Sequence, residues 1–277
     1  MCALLAGFLY GLIGYFGINI IHAGHSVFNM LFWRFLTASA VVLVVAIATR
    51  TINFQHPFKL LKMFLSGTFL QGTASVLYFI ASTYIGTGLA MVIFFTFPVF
   101  VLLINWLWGG ARPTRIYFAA LFFILFGLAL LIDPQSIKVD LTGIAIGIFS
   151  ALAYGLYVIS SKNTGLPPLT STLMVSGGTA LLCLLLTYFD NTLALPNTGA
   201  LWGNILALST LCTALPILLV LEALKTISTD KASMLLVLEP IFVVIFGVLL
   251  LNEHLTPLQG GGIIILLAGA LFSLAKK

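Results

Sequence analysis

The chain has little charge. Asp, Glu, Lys and Arg make up 7% of its 277 residues and hydrophobic residues 61%, where a soluble domain carries about 25% charge. Mean hydropathy is +1.19. Such a chain cannot cover itself in water, so its solvent is lipid and it is an all-α integral membrane protein. Cysteine is scarce as well. Cys2, Cys183 and Cys212 sit in apolar surroundings at unrelated spacings, which excludes a disulfide framework and a thiolate metal site.

Other absences narrow the function. The four histidines are scattered, and His22 and His25 lack a third ligand, so no metal is expected. No GxxxxGK[ST] loop is present to hold a nucleotide. An intramembrane enzyme would need Asp, His or Lys clustered near an interface, and no such cluster exists, so neither catalysis nor a cofactor is expected. The net charge of +5 is no nucleic-acid signature, because the basic residues lie in short loops and tails that orient membrane helices. The first apolar stretch lacks a basic leader and a cleavage site, and it reads as a retained helix.

What the sequence has in quantity is long apolar runs. A helix needs about 20 apolar residues to cross the hydrocarbon core, and ten stretches qualify: 3–21, 27–48, 60–82, 87–108, 116–132, 141–161, 170–188, 202–222, 233–251 and 258–274. Short connections such as Gly86-Thr-Gly88, Asp133-Pro134 and Gly165-Leu-Pro-Pro168 separate them. One set of alternate loops and tails holds Arg50, Lys59, Lys62, Arg112, Arg115, Lys162, Lys225, Lys231, Lys276 and Lys277; the other holds only Lys138. This bias predicts a multi-pass protein of the cytoplasmic (inner) membrane with both termini cytoplasmic.

The chain also repeats itself. Pro98 and Pro240, Thr114 and Thr256, and Gly127 and Gly269 match at one constant offset without a gap, and Tyr10-Gly11 corresponds more loosely to Tyr154-Gly155. Two related halves, 1–135 and 136–277, each hold five helices. Because five is odd, they insert in opposite senses, as an inverted repeat around a central cavity, the architecture of many secondary transporters.

Few residues could carry chemistry in lipid. Glu239 is a carboxylate within an apolar helix, placed by these boundaries roughly 9 Å from the inner end. Pro240 follows it, cannot donate to the helix ladder, and kinks or breaks the helix. Pro98 is its counterpart, preceded by Phe97 instead of an acid. Glu239 has two readings: it pins helices through buried hydrogen bonds, or it meets a substrate ammonium or a proton. Arg34 either snorkels along its stem to the interface or faces the cavity and binds a carboxylate. Tyr10, Gln71, Tyr78, Tyr154 and Tyr157 are cavity candidates and Tyr15 a further one, since tyrosine offers an apolar face plus a hydroxyl. Trp106 and Trp108 read as interface anchors, Glu222 and Lys225 as a surface pair, and Gly11, Gly14, Gly17, Gly143 and Gly147 as close helix packing.

Trp33-Arg34-Phe35, Ala223-Leu-Lys225, Leu238-Glu239-Pro240 and Asn252-Glu253-His-Leu-Thr256 together resemble the drug/metabolite transporter superfamily, specifically its EamA-type members, over essentially the whole chain. The resemblance implies ten helices around a cavity with helices 3, 4, 8 and 9 in its wall. It also implies alternating access and, for many members, efflux of amino acids or related metabolites. Gly110-Ala111-Arg112 stands where the family usually has Gly-Glu, and Asn252 replaces Gly before Glu253. The expected partners are a small-molecule solute and the lipid bilayer, with no nucleic acid. Proton coupling, a homodimer through the last helices of each half, and import or exchange instead of export stay open.

Overall fold

A computed structural model describes residues 1–51, 56–110, 115–132, 139–251 and 254–274. Arg112, Thr114, Asp133, Pro134, Lys138, Asn252, Glu253, Lys276 and Lys277 lie outside the described residues. The chain forms α1 (Cys2–His22), α2 (Val27–Ala48), α3 (Pro57–Ile85), α4 (Thr87–Trp108), α5 (Arg115–Leu131), α6 (Leu141–Ser160), α7 (Pro168–Phe189), α8 (Gly199–Thr226), α9 (Thr229–Leu250) and α10 (Pro257–Leu274). Among the described residues, α1–α4 and α6–α9 are the eight helices long and apolar enough to cross a bilayer, while α5 and α10 are shorter apolar helices. The end that carries Lys59, Lys162 and Lys225 is called the basic end below.

The repeat is visible in how α5 meets α10. A Cβ on Gly127 would lie 2.7 Å from the Leu266 nitrogen and 2.8 Å from the Gly262 oxygen; one on Gly269 would lie 2.9 Å from the Ile124 nitrogen and 3.0 Å from the Ala120 oxygen. Ala120 and Gly262, and Ile124 and Leu266, are themselves equivalent at the repeat offset. Each helix therefore offers the other the same patch, running in opposite senses, as an in-plane two-fold requires. Small residues allow this backbone approach where lipid supplies no hydrophobic drive. The last helices of the two halves thus pair within one chain, so the surface expected for a dimer is partly taken up.

The other helices interleave the halves. A Cβ on Gly11 of α1 would sit 2.6 Å from Phe242 Cβ of α9, and one on Gly155 of α6 would sit 3.4 Å from Phe100 Cβ of α4. Phe100 and Phe242 are repeat equivalents. Each half's first helix crosses the fourth helix of the other half at its break. Those breaks fall at Phe95–Thr96 in α4 and Val237–Leu238 in α9. Tight bonds close both, from the Val99 N–H to the Thr96 oxygen (2.8 Å) and from the Ile241 N–H to the Leu238 oxygen (3.1 Å). Pro98 and Pro240 lie in the first turn of the segment after each break, where a missing N–H costs nothing.

A second symmetric pair of irregularities lies in α3 and α8, which widen to π-helical turns at Gly67–Gly72 and Thr210–Ala214. Such turns leave backbone carbonyls to be satisfied from elsewhere. On α3, the Thr179 hydroxyl of α7 donates to the Gly67 oxygen at 2.9 Å. On α8, Arg34 of α2 does the same work. Among the described residues, α1 alone breaks without a counterpart, at Gly11–Leu12, since α6 is continuous.

The expected glycine packing is present at Gly11, Gly143, Gly147 and Gly17, whereas a Cβ on Gly14 would meet nothing within 4 Å. Trp106 and Trp108 are exposed at the end of α4. Glu222 and Lys225 pair at 3.0 Å.

A Cβ on Gly178 would run into the Phe64 carbonyl of α3. Gly178→Ala is therefore expected to cost about 1–3 kcal/mol by overpacking, despite the helix propensity gained. Gly14→Ala is expected to be neutral or stabilising. Thermal melts of both variants in detergent check the contrast.

Candidate solute site at the helix breaks

Glu239 opens the second segment of α9, ten residues past Thr229, which is roughly 15 Å along the helix. The sequence boundary at 233 placed it too shallow, because Thr229–Lys231 already belong to the helix, capped by the Ser228 hydroxyl. Glu239 is half-buried. It stands in the first turn of that second segment, where the helix dipole favours a negative charge. Among the described residues it is the only acid in the middle of a helix.

An aromatic cluster joins three helices, and two of its members, Tyr78 and Tyr154, lie in electrostatic range of Glu239. Centroids lie 4.7 Å apart for Phe97–Tyr154, 5.1 Å for Phe94–Tyr154, 5.4 Å for Tyr78–Phe94 and 5.7 Å for Tyr154–Tyr157. The wall thus joins α3, α4 and α6. Tyr10 of α1 is buried and lies in electrostatic range of Glu239, Arg34, Tyr154 and Tyr157. Tyr78, half-buried, also lies in range of Glu239. Gly7 permits α1 to come this close, for a Cβ there would stand 3.4 Å from the Glu239 nitrogen.

Arg34 does not snorkel. Its Nε donates to Thr213 Oγ1 at 2.6 Å, its Nη2 donates to the Cys212 oxygen at 3.0 Å, and the guanidinium stands 5.2 Å from the centre of the Phe35 ring. The reason lies in α8, where Pro216, four residues after Cys212, has no N–H to give the Cys212 oxygen, so that carbonyl and the Thr213 hydroxyl are left to receive Arg34. Those two bonds occupy two of the five guanidinium N–H groups. Glu239 lies in electrostatic range of Arg34 without an ion pair between them among the described residues.

The structure therefore brings together Tyr10, Tyr78, Tyr154, Tyr157, Glu239 and Arg34. Gln71 stands apart, buried in the π-helical turn of α3, with its Oε1 unpartnered among the described residues. Tyr15 is half-buried farther along α1. No group of three His, Cys, Asp or Glu able to hold a metal occurs among the described residues, and His25 is engaged by Asn29 at 2.6 Å.

Sequence reasoning missed Phe94 and Phe97, which look like ordinary apolar residues, and the polar ties that close the two ends. At the basic end, Asn105 Nδ2 of α4 donates to Thr229 Oγ1 (2.8 Å) and Asp230 Oδ1 (2.7 Å) of α9. At the opposite end, Asn29 Nδ2 and Trp33 Nε1 of α2 donate to the Ala194 oxygen at 3.0 and 2.9 Å. Both ties join one half to the other. The only available signal was a lone Asn in an apolar helix, which costs several kcal/mol unpaired.

A model of the EamA-like transporter family matches residues 1–133 and again 141–275. The threonine/homoserine exporter RhtA of Escherichia coli (strain K12) is 27% identical over 193 residues, and that of Salmonella typhimurium (strain LT2) is 26% identical over the same length. Each alignment covers 68% of this chain and 62% of the exporter, so less than two thirds of those relatives' length is matched. A crystal structure of another protein, 14% identical, superposes with a TM-score of 0.82 over 98% of this chain and 94% of that one. That likeness shows the fold.

Arg34→Met is expected to leave the Cys212 carbonyl unpaired and to cost about 1–3 kcal/mol. A double-mutant cycle with Thr213→Val, read from melts in detergent, is expected to be non-additive because the two residues share one bond.

Proposed function

Because the chain belongs to the EamA-like transporter family, we propose that it exports a small amino acid or related metabolite across the cytoplasmic membrane. The single observation that carries this reading is Glu239, a half-buried acid at the α9 break, in electrostatic range of Tyr10, Tyr78 and Tyr154. It accepts the solute's ammonium, whose positive charge also suits the tyrosine faces. Arg34, held at a distance from Glu239, supplies the opposite pole, so the cavity presents one charge of each sign to a zwitterion. Tyr10, Tyr78, Tyr154 and Tyr157 surround the apolar part, and Gln71 belongs to the supporting turn of α3.

Transport follows from the ties at the two ends. With both termini cytoplasmic, as the distribution of basic residues predicts, the Asn105–Asp230 contact closes the cytoplasmic side and the Asn29–Ala194 contact the far side. Rocking of the two halves, 1–135 and 136–277, breaks one tie while keeping the other. Pro98 and Pro240 fix the breaks about which α4 and α9 bend. A proton takes the place of the ammonium on Glu239 during the return step, which couples export to the proton gradient. The relatives' threonine and homoserine are the first solutes to try.

Purified protein in liposomes should move one or more amino acids from such a panel. Glu239→Gln, which keeps the shape but not the charge, is expected to reduce pH-gradient-driven flux to background while the protein stays folded. Unchanged pH-dependent flux in that variant would sink the role given to Glu239.

A further inference from the structure

A cavity of about 260 Å³ opens at the basic end between the α6–α7 connection, the start of α7 and the end of α8, with Ser161, Asn163, Thr164, Ser171, Leu224 and Lys225 on its wall. Ser161 is 5% exposed and Ser171 1% exposed. The Ser161 hydroxyl lies in hydrogen-bonding reach of the Tyr157 hydroxyl, whereas that of Ser171 has no hydrogen-bond partner among the described residues. Buried hydroxyls in a native structure are nearly always satisfied, so the Ser171 orphan on the cavity wall calls for an occupant.

The backbone around it favours an anion. α7 begins at Pro168 without any side-chain cap, and the first N–H groups of a helix find no acceptor within it. Pro168 has no N–H, and that of Ser171 goes to the Pro167 oxygen, which leaves those of Leu169 and Thr170 at the positive pole of a helix of 22 residues. Three lysines stand around the cavity. Lys225 lines it, Lys59 Nζ would touch a Cβ on Gly165 at 2.7 Å, and Lys162 Nζ donates to the Leu224 and Ile227 oxygens at 3.3 and 2.6 Å. Two acids oppose them. Glu222 is paired with Lys225, and Asp230 accepts from Asn105 at 2.7 Å while lying in electrostatic range of Lys162.

We infer that this cavity is a carboxylate-binding antechamber in which the solute docks before entering the central site. Its place on α6 supports that order. Tyr157 lies one turn beyond Ser161, within hydrogen-bonding reach of its hydroxyl, and Tyr154 of the aromatic cluster lies one turn further. Leu224, 1% exposed, stands on the cavity wall, where movement of α8 would open the way. The anion site stands on its own geometry; its service as an antechamber rests on the export reading.

The probe is trifluoroacetate, followed by 19F line broadening on the full chain in phosphatidylcholine nanodiscs, with trifluoroacetamide as the neutral isostere. Saturable broadening by the carboxylate alone is expected. Ser171→Ala should weaken it about tenfold, since the hydroxyl donates to a charged acceptor. It should keep the parent melting temperature, because that hydroxyl holds no protein partner among the described residues. No saturable binding, or equal affinity in the Ser171→Ala variant, overturns the site. Loss of binding in nanodiscs that contain phosphatidylglycerol identifies a lipid phosphate as the occupant and overturns the antechamber; unchanged binding there supports it. Flux measured on the same preparations separates the two readings. Binding without flux of any solute overturns export and leaves the anion site, whereas flux without binding overturns the anion site alone.

Discussion

A carboxylate halfway across a bilayer must be received by protein or by water, because on insertion scales it costs about 2.5–3.5 kcal/mol to leave it in hydrocarbon. Glu239 imposes that constraint, and much of the surrounding structure answers to it. The α9 helix breaks just before Glu239, so the acid sits in the first turn of a fresh segment, where the helix dipole favours a negative charge. Gly7 and Gly11 bring α1 against the same turn, and Tyr10 arrives with it. Arg34 provides a countercharge within range, anchored by the π-helical turn of α8. Each of these arrangements would be costly alone, and they are mutually supporting around one acid.

Two kinds of symmetry meet at this point. The backbone obeys the repeat closely: α4 and α9 break at equivalent places, α3 and α8 widen at equivalent places, and α5 and α10 exchange identical patches. The side chains do not. Phe97 stands where Glu239 stands in the other half, and it is fully buried against Tyr154. The first half thus supplies an aromatic surface and the second supplies the charge. A symmetric frame allows the halves to exchange roles at the two membrane faces, while the asymmetric lining gives the cavity one acid pole instead of two.

Much of this was legible in the sequence, for physical reasons. Ten apolar runs and the constant spacing of Pro98/Pro240 and Gly127/Gly269 carry the helix count and the inverted repeat, because lipid demands both long helices and close small-residue packing. Glu239 and the tyrosines announced themselves as polar groups in apolar runs. Arg34 was legible as a candidate but not in its role, since nothing in one chain segment reveals that α8 exposes a carbonyl for it. Phe94 and Phe97 were invisible, for among 23 phenylalanines only the fold distinguishes a cavity wall from a lipid-facing side. Asn105 and Asn29 were passed over because their partners, Asp230 and Ala194, lie far along the chain and meet them only across the two halves.

Water access to position 239 tests the central cavity most directly. In a background with Cys2, Cys183 and Cys212 replaced by alanine, E239C should react with a membrane-impermeant thiol reagent. L236C, at a residue 1% exposed on the preceding turn, should stay unreactive under the same treatment. A cysteine at 239 that no aqueous reagent reaches from either face of the membrane would contradict a solute site at Glu239.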